Sequence, residues 1–332
     1  MNSVTRRVLF LALTGVSLYL LAPSLIEVFS TAPRLTALEP TWFVPMIVLQ
    51  AGSLVCMALV QLICLHAQRL GPVLSSQIAG NAFARIVPGG GAAGAALQYG
   101  MLVTSGTVAS GRAASALTAA NLFTFATLLA LPVFTLPAIL FGAPVDHGLT
   151  QAALLGGFGF AVMAGLGAVF LAFDEPLLAA GRAIQRVRNR VLPRREPRSD
   201  LPDRLLEERN GVQSALGEKW KRALLASVGR WMLDYGTLLT ALAAVGASPR
   251  PSLVLLAYVA AQVLAQIPFT PGGLGFVEAG LTGLLALAGV APADAALATL
   301  AYRLVNYWLP LPAGAIATYV HRRRYPKVEP VV

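Results

Sequence analysis

Ile267-Pro268-Phe269-Thr270-Pro271-Gly272-Gly273-Leu274-Gly275-Phe276-Val277-Glu278-Ala279-Gly280 is the stretch that decides the fold. It breaks a long apolar run with two prolines and three glycines. It then sets one carboxylate, Glu278, three residues past Gly275. Proline lacks a backbone donor and glycine relaxes the helix, so no continuous helix is expected here. In hydrocarbon, broken backbone persists only where protein buries it or where it lines a wet cavity. A carboxylate beside such a break is a candidate functional group. The alternative is a Pro/Gly kink with Glu278 pointing to the membrane interface.

Of 332 residues, 56% are hydrophobic and 12% are charged, the charged share being about half that of a soluble domain. Several apolar runs exceed the roughly 18 residues needed to span a bilayer. The expected class is therefore an all-α polytopic membrane protein. The net charge is +10, but most arginines lie in one loop and at the two ends. That is the positive-inside pattern, and without an aromatic-basic stacking array it gives no reason to expect a nucleic-acid partner. Cys56 and Cys64 share one apolar helix, where a rise of 1.5 Å per residue sets them about 12 Å apart, beyond disulfide reach.

Taken in order, Arg6 and Arg7 precede an apolar span over 8–26, and a second span runs over 42–65 to His66 and Arg69. Pro88-Gly89-Gly90 then separates two apolar pieces of about 15 residues, each too short to cross alone. They are expected to form a re-entrant hairpin over about 74–106, open to the cytoplasm between Arg69 and Arg112. Spans over 113–140, bent at Pro132 and Pro137, and over 152–173 follow, with Asp146 and His147 in an external loop. Between Arg182 and Arg222 twelve Lys/Arg stand against six Asp/Glu, placing that segment in the cytoplasm. Leu177, Ile184, Val187 and Val191 give its first part an apolar face suited to an anionic membrane surface. The stretch from Arg194 to Asp203 reads equally as a solvated linker. A span over 223–245 precedes a second hairpin, about 253–290, broken at Pro271-Gly272-Gly273. A last span over 295–319 ends at His321-Arg322-Arg323-Arg324, on the cytoplasmic side by the same charge rule.

The two breaks match, and eighteen residues beyond each proline stands a glycine, Gly106 or Gly289. Each hairpin precedes a span holding an asparagine, Asn121 or Asn306. Charge alone puts the hairpins on opposite sides of the membrane. The reading is thus about six full spans plus two Pro-Gly-Gly re-entrant hairpins in an inverted repeat, or eight segments with hairpins counted as spans. The divisions are 1–173 with the first hairpin, 174–222 as a basic cytoplasmic linker, 223–320 with the second hairpin, and 321–332 as a cytoplasmic tail. In many secondary transporters, interrupted segments so placed hold the binding site. Two unrelated Gly/Pro kinks would give the same pattern.

The ionisable residues expected at apolar depth are Arg85, Arg230, Asp234, Glu278 and Arg303. Arg230 and Asp234, four apart on one helix face, are expected to neutralise each other. Arg85, Glu278 and Arg303 lack a local partner and are expected to meet one another or a polar cavity. Gln77, Asn81, Gln98, Asn121, Gln262, Gln266, Tyr302 and Asn306 are candidates to line it. Helix N-termini after Gly89-Gly90 and Gly272-Gly273, joined by Arg85 and Arg303, would seat a phosphate. Glu278 is then either a proton- or cation-linked coupling carboxylate or simply an offset for Arg303. Gly89-x-Gly91-x-x-Gly94 matches the dinucleotide fingerprint, but no strand precedes it and no acid follows at the required distance. His66, His147 and His321 fall in separate loops without metal-ligand spacing. No cofactor, metal or enzymatic activity is expected.

Pro271-Gly272-Gly273-Leu274-Gly275-x-x-Glu278, then Gly289, Tyr302-Arg303-Leu304, Pro310 and Gly314, resembles the lysylphosphatidylglycerol synthase transmembrane-region family over nearly the whole chain. Asn81 with Pro88-Gly89-Gly90 resembles that family's first motif. The resemblance implies a flippase-like module; in fused members it moves an aminoacylated phospholipid made by a cytosolic synthase domain, for which this chain has no room. Ala92, Ala93 and Gly94 stand where an acidic and a basic residue often follow the glycines, which argues against a cation-headed lipid. Carried over by position, Glu278 and Arg303 are the site residues. The leading expectation is movement of an anionic phospholipid or polyprenyl-phosphate-linked lipid between leaflets of the cell membrane, with membrane lipids as partners and both termini cytoplasmic. Alternatives are a non-transporting scaffold that docks a lipid- or glycan-assembly enzyme on the 182–222 loop, and a small-solute secondary transporter.

Overall fold

The computed structural model describes residues 38–87, 90–135, 172–191, 201–266 and 273–325, together with Gly165 and Val169. The expected span over 8–26, most of that over 152–173, and the residues Pro88, Gly89, Pro137, Asp146, His147, Pro271 and Gly272 lie outside them. Every regular element among the described residues is helical.

A 3-10 turn, Pro40–Trp42, leads into α1 (Phe43–Cys64). The first hairpin is α2 (Leu70–Ile86) and α3 (Gly90–Thr104). α4 (Ser110–Ala130) tightens at Pro132 into a 3-10 turn, Leu131–Thr135, where the bend was expected. α5 (Asp174–Val191) and α6 (Leu201–Leu216) form a helical pair within the basic segment. α7 (Trp220–Ala244) precedes the second hairpin, α8 (Pro251–Leu264) and α9 (Phe276–Leu287). The chain closes with α10 (Pro292–Arg303), a π turn (Leu304–Trp308) and α11 (Pro310–Arg324). Pro40–Cys64 and Ala113–Val133 are long and apolar enough to cross a membrane by length and composition. α8 and α9, at 14 and 12 residues, fall short of the ~20 a single crossing requires.

α2 ends at Ile86, just before the first break, and α8 ends at Leu264, ahead of the second. In the first hairpin the backbones touch: a Cβ on Gly94 would strike the Gly80 carbonyl, and one on Gly90 the Ala84 carbonyl. Close approach through small residues is how helices associate where lipid removes the hydrophobic drive between them. Gly106 and Gly289, paired by sequence spacing, end α3 and α9 with the same cap at φ 66° and 92°. Each donates its N–H three residues back, while the next residue donates five back. That is the Schellman arrangement, which favours glycine at the left-handed position.

α1 and α7 cross antiparallel at the centre. Gly52 meets Leu233, Gly229 meets Cys56 and Gly236 meets Leu49, and the Ser53 hydroxyl donates to the Arg230 carbonyl at 2.9 Å. These are the helices that precede the two hairpins, so an inverted repeat requires them to run in opposite directions. The first hairpin is tied to α1 by the Gln98 amide donating to Gln61 at 2.7 Å, both residues being buried. α11 lies along α2, with Gly314 against Ala82. His321, expected in a loop, is instead buried on α11: it pairs with the Ser75 hydroxyl at 2.7 Å and donates to the Met101 carbonyl at 3.2 Å. Helix α11 runs past the expected end of the span because α2 and α3 cover that turn. In the basic segment, Gly181 of α5 is buried against Pro202 and Leu205 of α6, and α6 packs on α4. Arg182 and Arg186 point outward from α5, as does Ile184.

Candidate functional site

The site is built around residues 302–307. In an α-helix the N–H of residue 310 bonds the carbonyl of residue 306, but Pro310 has no N–H to give. The chain responds with a wider turn, in which the Leu309 N–H reaches the Leu304 carbonyl at 3.0 Å. The carbonyls left over at Asn306 and Tyr307 are taken by Arg85, at the end of α2. Its Nη1 donates to the Asn306 oxygen and, at 2.7 Å, to that of Tyr307. The Tyr307 hydroxyl returns a bond to the Arg85 carbonyl at 2.9 Å. Single π turns inside helices recur at functional sites.

Asp234, on α7, sits behind this turn with 4% exposure. Its Oδ2 accepts from the Tyr258 hydroxyl at 2.6 Å, the Tyr302 hydroxyl at 2.9 Å and the Gln262 amide at 3.1 Å. Its Oδ1 accepts from the Asn306 amide at 2.6 Å. An ionised Asp at the bilayer centre costs about 2.5–3.5 kcal/mol, and four donors from α8, α10 and the π turn offset that cost. The expectation that Arg230 and Asp234 neutralise each other holds as a charge–charge attraction, but no direct hydrogen bond or ion pair joins them among the described residues. The Arg230 guanidinium lies over the Trp231 ring, 3.7 Å from its centroid, and its Nη1 is buried with no partner among the described residues. The i, i+4 rule weighs only neighbours on one helix; here three other segments supply better-placed donors.

On the other side of the turn, Arg303 Nε and Glu278 Oε1 form an ion pair of 2.6 Å, the two side chains being 6% and 12% exposed. Glu278 Oε2 is buried and has no hydrogen-bond partner among the described residues. Arg303 and Arg85 both lie against the Tyr307 ring, at 4.4 and 5.3 Å from its centroid. Three guanidiniums (Arg85, Arg230, Arg303) thus meet two carboxylates (Asp234, Glu278), leaving a surplus of one positive charge. At 1.5 Å per residue, Asp234 lies about 21 Å along α7 from Trp220 and about 15 Å from Ala244. The cluster is therefore near the middle of a helix of spanning length.

Of the residues selected from sequence, Arg85, Glu278, Tyr302, Arg303 and Asn306 converge here. Asn81 is half-buried on α2, one turn before Arg85, and Gly90 and Gly273 are buried at the two breaks. Gln262 belongs to the cluster, whereas Gln266 is exposed in the turn after α8 and Asn121 is exposed on α4. Sequence reasoning missed Tyr258 and Tyr307, which read as parts of apolar runs. Pro310, two residues before Pro312, was the available signal for the carbonyls that Arg85 takes.

Comparison with known proteins places this architecture. A UPF0104 membrane protein of Methanothermobacter thermautotrophicus is 32% identical over 98 residues, 30% of this chain and 28% of that protein's length. The aligned stretch thus spans well under a third of that relative. No solved structure matches the chain. The family model for the lysylphosphatidylglycerol synthase TM region matches residues 8–314, nearly the entire sequence, and the chain belongs to that family of integral membrane proteins.

Proposed function

We propose that this protein is a flippase-like translocase. It moves an anionic phospholipid or a polyprenyl-phosphate-linked lipid between the leaflets of the cell membrane and performs no covalent chemistry on it. The observation that carries the reading is the gathering of Arg85, Arg303, Glu278 and Asp234 on residues 302–307. Arg85 comes from the first hairpin, Glu278 from the second and Asp234 from the helix between them. Buried ionisable residues near mid-depth accompany substrate paths in membrane proteins, and the positive surplus suits a phosphate. In this reading Arg85 and Arg303, with the N-terminal glycines of both half-helices (Gly89, Gly90, Gly272, Gly273), hold the phosphate. Glu278 couples movement to a proton or cation, and Asn81, Tyr302 and Asn306 line the path. The hairpins reach in from opposite sides with their tips at Pro88 and Pro271, both termini face the cytoplasm, and 174–222 divides the two membrane halves.

The test is fluorescent phosphatidylglycerol movement in proteoliposomes, read by chemical quenching of the outer leaflet. Glu278→Gln and Arg303→Ala abolish movement while the protein still unfolds cooperatively; unchanged movement in both variants rejects the site. A second reading is a scaffold that docks a lipid- or glycan-assembly enzyme, favoured by the outward Arg182 and Arg186 on a helix pair packed at the start of α4. Charge reversal at those two arginines separates the readings, because the translocase keeps moving lipid.

A further inference from the structure

We infer that α5 is a membrane-surface helix whose partner is the phospholipid bilayer itself. Its apolar face, Phe173, Leu177 and Ile184, is seated at the headgroup–acyl boundary of the leaflet where α4 and α7 begin. Its basic face, Arg182 and Arg186, stays in water, where a docking enzyme could reach it.

The α5–α6 pair is held at the level of the bilayer surface at three points. The Phe173 N–H donates to the Val169 carbonyl at 2.9 Å, a last helical turn of the expected span over 152–173, and α5 begins at the next residue. At the far end, α6 passes through a 3-10 turn, Gly217–Lys219, into α7 at Trp220. That indole is 48% exposed, with the Lys221 ammonium 5.8 Å from its ring centroid, and exposed Trp beside Lys is characteristic of a membrane–water interface. Between these ends, Gly211 of α6 lies against Ser115 of α4, two residues inside the apolar stretch Ala113–Val133.

The rotation of α5 about its axis follows from its contacts. With 3.6 residues per turn, Leu177 and Ile184 stand about 20° apart, and Arg182 and Arg186 each about 160° from Ile184. Gly181, packed on Pro202 and Leu205, and Asp174, paired with Arg209, hold one flank to α6. The apolar and basic faces are both left open: Ile184 is 54% exposed, Phe173 just before the helix is 60% exposed, and both arginines are exposed. Turned the other way, the helix would press two guanidiniums into hydrocarbon and leave Phe173 and Ile184 in water, which is unfavourable on both counts. An apolar face opposite an arginine face is the layout of a helix lying in the interface plane. Twelve Lys/Arg against six Asp/Glu between Arg182 and Arg222 match the negative surface of a bilayer containing anionic lipid.

Nitrobenzoxadiazole fluorescence tests this on the full-length protein in vesicles of phosphatidylethanolamine and phosphatidylglycerol. The probe is attached through Phe173→Cys, Ile184→Cys or Arg182→Cys, all at exposed positions, and wild type, with Cys56 and Cys64 alone, supplies the background. A phosphatidylcholine carrying its doxyl group near the glycerol should quench the probe severalfold more strongly at positions 173 and 184 than at 182. Aqueous iodide should do the reverse. Iodide reaching position 184 as readily as 182 overturns the inference, because the apolar face then lies in water. Protection of position 184 from both quenchers also overturns it, because the face is then seated on protein, a second copy included. Equal doxyl quenching at 182 and 184 removes the assignment of faces and the inference with it. Because the comparison is between sites on one helix, it decides without any activity measurement.

Discussion

Removing one partner of the Glu278–Arg303 pair and removing both should have non-additive consequences, and the structure sets the sizes. Arg303→Met leaves the Glu278 carboxylate buried, with neither oxygen paired among the described residues. Breaking a buried pair from one side costs about 3–5 kcal/mol. Glu278→Gln is milder. The amide oxygen still accepts from Arg303 Nε, and the guanidinium keeps the Tyr307 ring at 4.4 Å, so the loss is the difference between a charged and a neutral hydrogen bond, about 1–2 kcal/mol. The double variant buries no charge at this position and forfeits one neutral bond, again about 1–2 kcal/mol. The cycle therefore closes with a coupling of about 3–5 kcal/mol in favour of the double variant. Unfolding in mixed micelles with rising dodecyl sulfate, followed by circular dichroism, measures all three. If the double variant's loss equals the sum of the singles within about 0.5 kcal/mol, the pair is not coupled and the reasoning fails. A double variant that folds normally yet moves no lipid also separates a working pair from a mere charge offset.

Other outcomes follow from the same contacts. Tyr302→Phe removes a donor to Asp234 and an acceptor for Gln262 and should cost about 1–2 kcal/mol. Arg230→Met, whose flexible side chain keeps contact with Trp231, should stay within about 1 kcal/mol; the reverse order in micelle unfolding would restore Arg230 as the partner of Asp234. Arg85→Ala should cost about 1–3 kcal/mol through its two carbonyl bonds, and about half that in a Pro310→Ala background, where residue 310 regains an N–H for the Asn306 carbonyl. Equal costs in both backgrounds would contradict the account of the π turn. Gly94→Ala drives a methyl into the Gly80 carbonyl and should lose about 1–3 kcal/mol. Gly91→Ala faces open space and should stay within about 0.5 kcal/mol.

The helix breaks were legible because proline and glycine act locally. α2 ends two residues before Pro88 and α8 seven residues before Pro271, and the eighteen-residue spacing to Gly106 and Gly289 located two identical caps. The convergence of Arg85, Glu278 and Arg303 was legible because unpaired charge in an apolar run must find partners in space. What failed was partner choice across helices. Asp234 is held by Tyr258, Tyr302, Gln262 and Asn306, none on its own helix, so sequence neighbours pointed to Arg230. Gln266 shares a helical face with Gln262 only if the helix continues, but α8 stops at Leu264 and the turn carries Gln266 outward. The last span read as unbroken because residues 295–319 are mostly apolar, with Arg303 and Asn306 as isolated polar positions. The consequence of Pro310 became visible only with Arg85 on the Asn306 carbonyl it frees.

The central claim is that the charges gathered on residues 302–307 hold a lipid phosphate inside the membrane. Native mass spectrometry of lipids co-purified with the full-length protein tests it most directly. Wild type should retain phosphate-headed lipid that Arg303→Ala loses, while Arg182→Glu/Arg186→Glu retains it. Wild type free of lipid, or Arg303→Ala carrying the same complement, would contradict the claim.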